Sequence, residues 1–267
     1  MPQGDTKVTS VTQEAYAKVR KWKNYSMQSL YFSAFLVFLN VVYTNIPKNW
    51  QVIDGRVVSC AIVVQIMALV AYHGFSLYAS ILHYDAGKKH FPDLIDNAFG
   101  TVLTTDHSEN YYASAEMKVG AGKLAWNVTE NCFFTKSIYG QMRWGIHRKS
   151  LIFGVGFLIA IVLNHSEWIL TIVRLTVPIV LIKQSIVFEY ALREFQIQYD
   201  KAYIIMTRGG KNSNQLLSDA INILLHYETL KAWLNVPTDE NIYNEMRDSL
   251  NRKFEKVSAN FKIKKAP

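Results

Sequence analysis

The stretch Ser150-LIFGVGFLIAIVL-Asn164-His-Ser-Glu167-Trp168-ILTIVRLTVPIVLIKQSIVF, ending at Phe188, decides how the chain is read. Two apolar runs are separated by four polar residues, 164–167, and Trp168 opens the second run where an interfacial aromatic is expected. The first run, 151–163, covers roughly 20 Å as helix, short of a ~30 Å hydrocarbon core. Arg148 and Lys149 can snorkel at one end of it and the Asn164 turn can dip at the other. The second run is long enough but carries Arg174 and Pro178 in its interior. The pair reads as a transmembrane hairpin with an intramembrane cation, and such a costly residue marks a functional-site candidate.

Outward from there, the apolar residues form blocks between charged stretches. Half the chain is hydrophobic, yet the mean hydropathy is only +0.03, which points to mixed membrane and aqueous parts. The net charge of +8 raises nucleic acid as a partner. The Lys and Arg flank apolar segments instead of forming one tract, so the positive-inside rule accounts for them and no nucleic-acid partner is expected.

A first span is expected over 27–46, closed by Pro47, and a second over 57–82, with a short loop between. Asn40 in the first, and Gln65 with Ala61, Ala68, Ala71 and Gly74 in the second, suit helix–helix contacts. Residues 13–28 read as a basic amphipathic helix with Tyr16, Val19, Trp22 and Ser26 on one face and Lys18, Arg20, Lys21 and Lys23 toward anionic headgroups. About 27 mostly polar residues precede the first apolar run and no small-residue cleavage site follows, so no signal peptide is expected.

Segment 85–149 holds eight Lys and Arg, and segment 189–267 twelve, against two in the 47–56 loop and none in the 164–167 turn. Charge therefore puts both termini and the middle segment in the cytoplasm, which requires an even number of crossings. The expectation is an all-α membrane protein of two helical hairpins, four spans in all. Its parts are a basic N-terminal segment (1–26), a hairpin (27–84), a cytoplasmic insert (85–149), a second hairpin (150–188) and a helical cytoplasmic tail (189–267). Helices are expected at 92–103, from about 123, over 214–233, and after Pro237 with Thr238 or Asp239 as N-cap.

The last helix places Tyr243, Met246, Leu250, Phe254, Val257 and Phe261 on one stripe, close to a heptad seam. That stripe suits either packing within the chain or a contact between subunits of a homo-oligomer. On the fourth span Thr171, Arg174, Pro178 and Ser185 fall on one face, a polar stripe that could line a wet path. Gly156 and Ala160 on the third form a small-xxx-small pair for close helix approach.

No catalytic residue is indicated: the chain lacks a phosphate-binding Gly loop, a nucleophile elbow and a zinc motif. His83, Asp85 and His90 read as solvated residues, not metal ligands, and Asp93 and Asp96 as a solvated acidic face and cap. Cys60 and Cys132 give no framework and read as buried or reduced thiols.

The run Asp93-Leu-Ile-Asp96-Asn-Ala-Phe-Gly100, then Glu109-Asn-Tyr-Tyr112, Lys123-Leu-Ala and Glu130-Asn-Cys-Phe-Phe-Thr-Lys136 resembles the cytoplasmic region of the SMODS-associating four-transmembrane effectors. These bacterial proteins place a soluble insert between two membrane hairpins. The resemblance implies a non-enzymatic, oligomeric effector of antiphage defence that permeabilises the inner membrane. It also implies a trigger, a cyclic nucleotide made by a cognate nucleotidyltransferase, whose site the residues do not give; no other cofactor is expected. A sensor or scaffold whose cytoplasmic helices recruit a partner protein is the alternative.

Overall fold

Long stretches of helix-forming residues fold as long helices, which run through isolated Gly and Pro such as Gly74, Pro92 and Pro178. The computed structural model describes residues 11–47, 55–104, 114, 117–163, 168–208, 212–234, 236 and 238–263; side chains are described except at 11–13, 41, 44, 45, 55, 156–163 and 168–178. All regular structure among these residues is helical: α1 (Val11–Asn45), α2 (Gly55–Phe99), α3 (Ala121–Leu163), α4 (Trp168–Arg208), α5 (Ser213–Leu234) and α6 (Glu240–Ser258).

Several expected boundaries are absent. The basic N-terminal helix and the first span are one 35-residue helix, α1. The helix expected at 92–103 is the end of α2, which carries Pro92 in its interior and runs on to Phe99. Helix α3 likewise joins the helix expected near Lys123 to the third span. Glycines mark the end of α2 and the start of α3: Gly100 at φ +67° donates to the Asp96 carbonyl at 2.7 Å, a left-handed helix cap, and Gly120 at φ +133° precedes α3. Asp239 caps α6, accepting from the amides of Asn241 at 2.9 Å and Ile242 at 3.3 Å.

The chain divides into two units. One, the bundle unit, comprises 18–81 and 143–188; the other, the aromatic unit, comprises 1–17, 82–142 and 189–267.

In the bundle unit α1 buries Val19, Ser26, Leu30, Ser33, Val37 and Asn40 in steps of three, four and seven, a heptad seam with a polar residue at every seventh place. Opposite, α2 buries Gln65, Ala68, Tyr72 and Ala79. Ser26 Oγ donates to the Tyr72 carbonyl at 3.1 Å, Gln184 Nε2 reaches Met27 Sδ at 3.8 Å, and Ser150 Oγ donates to the Leu181 carbonyl at 3.0 Å. These bonds put Ser26, Tyr72, Ser150 and Gln184 in one layer, above which Leu30, Tyr72 and Leu181 pack with Tyr31 stacked on Phe153 at 5.1 Å.

The outside of this unit is the reverse of a soluble surface. Phe32, Phe35 and Phe38 of α1, Val63, Met67 and Val70 of α2, Leu151 and Ile152 of α3, and Ile179, Ile182 and Ile186 of α4 all point outward. Among the described residues one helix, Arg56–Phe99, is long and apolar enough to cross a membrane, with a mean hydropathy of 1.9 in its best window. Only 17% of that window is buried. Of the four spans expected, α2 is the one that meets that measure of length and apolarity among the described residues.

The aromatic unit has a core of rings. Phe254 of α6 meets Trp126, Phe133 and Phe134 of α3 at 5.8, 5.4 and 6.4 Å, and Phe261 closes on Trp126 at 5.3 Å. Tyr139 stacks on Phe195 at 5.2 Å and interplanar angle 7°. Leu250, Phe254 and Phe261 are thus buried against the chain's own helices, and Tyr243, Met246 and Val257 are half-buried beside them. The stripe offered for a subunit seam is filled from within, because α3 supplies the rings that cover it.

Candidate functional site

The densest chemistry among the described residues is a buried charged cluster in the aromatic unit. An apolar helix such as α5 has one face to hide, and Leu216, Ala220, Ile223, Leu224 and Tyr227 hide on it. Glu228 and Lys231, three residues apart, flank that face and are drawn in with it. Glu228 Oε1 lies 3.2 Å from His90 Nδ1 and 4.0 Å from Lys231 Nζ. His83, seven residues before His90 on α2, sets Nε2 3.2 Å from the Lys231 carbonyl, so that nitrogen carries the proton. Tyr16 of α1 stands edge-on to His83 at 5.6 Å. The Lys231 ammonium sits 5.2 Å over the Tyr16 ring and 5.6 Å over that of Tyr227, whose hydroxyl is 2.8 Å from Thr135 Oγ1.

Burial by itself would raise the Glu228 carboxyl; Lys231, then His90, then His83 outweigh it and hold the pKa at about 2. Lys231 is half-buried, and although its partial burial lowers the pKa, Glu228 and Tyr16 hold it above the ordinary value. Burial pushes the Tyr227 hydroxyl and the Cys132 thiol well up. At neutral pH this is a fixed anion and a fixed cation with two imidazoles against them. It offers neither a carboxylic acid to donate a proton nor a thiolate to attack. Among the described residues no three His, Cys, Asp or Glu side chains group as a metal would need.

A second cluster builds the end of α2, the run that carries the family resemblance. Asp96, read from sequence as a solvated cap, is buried, and so is Asp93. Asp96 Oδ1 accepts from Thr101 Oγ1 at 2.7 Å and the Leu103 amide at 2.8 Å; Oδ2 accepts from the Thr104 amide at 2.9 Å and Thr104 Oγ1 at 3.2 Å. Burial would raise its pKa, but these four donors lower it below the ordinary value. Asn127 Nδ2 donates to Asn97 Oδ1 at 2.9 Å, and Ser114 donates to Asn127 Oδ1. Asp96→Ala is expected to free the 101–104 turn at a cost of about 3 kcal/mol, since several donors lose a charged acceptor together. Hydrogen exchange at the Leu103 and Thr104 amides checks it. In the wild type the same protection is present above the ordinary carboxylate range and lost as pH falls through the depressed folded value.

Of the residues singled out from sequence, Ser185 is buried and donates to Ser150 Oγ at 2.6 Å, within the α3–α4 contact and not on an open face. The side chains of Thr171, Arg174, Gly156 and Ala160 lie outside the described residues. His83 and His90 are not solvated but are 5% and 8% exposed. Glu228 and Lys231 had no local sequence signal beyond a Glu and a Lys at i, i+3 in an apolar helix, and Tyr16 stood out only as part of the inward face of the 13–28 helix. Cys60 is exposed and Cys132 buried; neither forms a disulfide.

Compared with protein-family models, curated proteins and solved structures, the chain matches none.

Proposed function

We propose that the chain is a non-enzymatic membrane effector. Its bundle unit is a four-span assembly in the bacterial inner membrane, with the termini and the aromatic unit in the cytoplasm. The observation that carries the membrane part is the inverted bundle unit: Ser26, Ser33, Asn40, Gln65, Ser150 and Ser185 inside, and Phe, Ile, Leu, Met and Val outside. A contiguous apolar exterior of this kind is unstable in water, and small or polar residues between helices are the packing rule of lipid.

Lengths support it. From the shared layer to the helix ends, α1 (from Met27), α2 (from Tyr72), α3 (from Ser150) and α4 (from Gln184) run ~27, ~26, ~20 and ~24 Å. Four helices ending at similar depth suit a hydrocarbon core of ~30 Å, thinned somewhat at α3.

The permeabilising role, the homo-oligomer and the nucleotide trigger rest on the family resemblance and on Arg174, which lies ~15 Å along α4 from Gln184, near mid-bilayer. A sensor that recruits a partner is the second reading, favoured by Trp233 and Tyr190, which pair at 5.6 Å and are each 54% exposed.

Reporter fusions after Lys149 and at Pro267 are expected to read cytoplasmic, and the protein to resist alkaline extraction. A periplasmic readout at either point, or release by alkali, overturns the four-span reading. Arg174→Leu is expected to insert as well as wild type and to abolish dye entry in triggered cells; full dye entry with this variant removes the pore and leaves the recruiting sensor.

A further inference from the structure

The bundle unit has a charge distribution that the four-span reading does not by itself require. Its described residues include no Asp or Glu, and its two acids by sequence, Asp54 and Glu167, fall outside them. Basic residues nevertheless crowd one level. Lys18, Arg20, Lys21 and Lys23 precede Met27 on α1 by four to nine residues, within ~13 Å of the shared layer. On α3, Arg148 and Lys149 adjoin Ser150, with Arg143 a turn and a half below. On α4, Lys183 adjoins Gln184, whose amide marks the layer.

Helix α2 differs. Between residues 72 and 81 it has no Lys or Arg, and its flank at this level is aromatic. Trp22 packs on Tyr78 at 4.8 Å and on Phe75 at 5.5 Å, and Tyr25 lies 6.1 Å from Phe75. On the α3 side Trp144 is 70% exposed. Exposed aromatics at the level of snorkelling cations mark the lipid–water boundary.

We propose that the α1–α3–α4 flank of this layer, through Lys21, Lys23, Arg148, Lys149 and Lys183, is a binding surface for the headgroups of anionic phospholipids in the facing leaflet, and that the α2 flank is not. The inference rests on the four-span reading. Lys21, Arg148, Lys149 and Lys183 are exposed, and the described residues of 18–81 and 143–188 contain no Asp or Glu. The tails of such lipids lie against Leu151, Ile152 and Ile182, all exposed directly beside these cations. Charge complementarity selects the headgroup. A zwitterionic lipid brings its own cation to the same place, whereas phosphatidylglycerol brings a net anion.

The test uses the full chain reconstituted into phosphatidylcholine vesicles with a few dansyl-labelled lipids, either phosphatidylglycerol or phosphatidylcholine. Energy transfer from tryptophan reports which lipid stands at the boundary. Transfer to the phosphatidylglycerol probe is expected to exceed that to phosphatidylcholine by roughly fivefold or more, the effect of about one well-placed cation. It should fall toward equality as salt rises to ~1 M and the Debye length shrinks to ~3 Å. The variant K21Q/R148Q/K149Q/K183Q should lose the preference while retaining its helical circular dichroism and its incorporation. Equal transfer from both probes in the wild type at low salt overturns the proposal without reference to any variant, and an undiminished preference in the folded variant removes it from this flank. Failure of the wild type to enter vesicles would instead count against the four-span reading.

Discussion

Phe254→Ala is expected to destabilise the aromatic unit by about 3–5 kcal/mol, a large share of what a domain of this size holds. Phe254 is 3% exposed and is the ring through which α6 meets Trp126, Phe133 and Phe134. Its removal leaves a cavity bounded by Trp126, Phe133 and Phe134, which are fixed along α3 and cannot close it without moving backbone. Urea unfolding of the detergent-solubilised protein, followed by near-ultraviolet circular dichroism, reads the loss. A wild-type midpoint would mean that α6 is not docked as described. Glu at Leu250 and Phe254 should likewise unfold the unit, not merely split an oligomer, because both side chains are already covered within the chain.

Glu228→Leu should cost about as much, ~3–5 kcal/mol, for a different reason. It leaves the half-buried Lys231 ammonium without its counter-charge and removes the partner of the buried His90. The pH dependence has a definite sign. Glu228 is depressed from 4.5 to about 2, so its stabilisation is complete above 4.5 and is lost as pH falls through about 2. Lys231 is raised, so its share is complete below 10.5 and is lost as pH climbs above the elevated folded value. Melting temperatures of wild type and Glu228→Gln should differ most near neutrality and converge between pH 4.5 and 2. A gap that stays constant over that interval would show that the carboxylate charge is not what holds the cluster.

Helix periodicity made most of this architecture readable. The 3.6-residue spacing of α5 and α6, the Asp239 cap and the inward face of Val19 and Ser26 all follow from short-range pattern, which a single sequence contains. Helix continuity was harder. Pro92 looks like a start signal, yet α2 passes through it because His90 and Leu94 on either side are buried and hold the axis. The charged cluster was not legible at all. His83 and Lys231 are 148 residues apart, and beside Asp85, Lys88 and Lys89 the two histidines look like part of a wet segment. Only the helical repeat, seven residues between His83 and His90, carried a trace of their shared buried face.

The two serines at the α3–α4 contact have a consequence for proton movement. In α4 the Ser185 amide donates to the Leu181 carbonyl, as helix geometry requires. Ser185 gives its hydroxyl proton to Ser150, and Ser150 returns its own to the same carbonyl. The circuit is closed and both hydroxyl protons are spent inside it. A water arriving at these two serines finds neither hydroxyl proton free, and a proton hopping through them would have to turn both hydroxyls over at once, breaking the Ser150 tie between α3 and α4 as it passed. While that contact stays shut, the Ser150–Ser185 pair itself passes no proton.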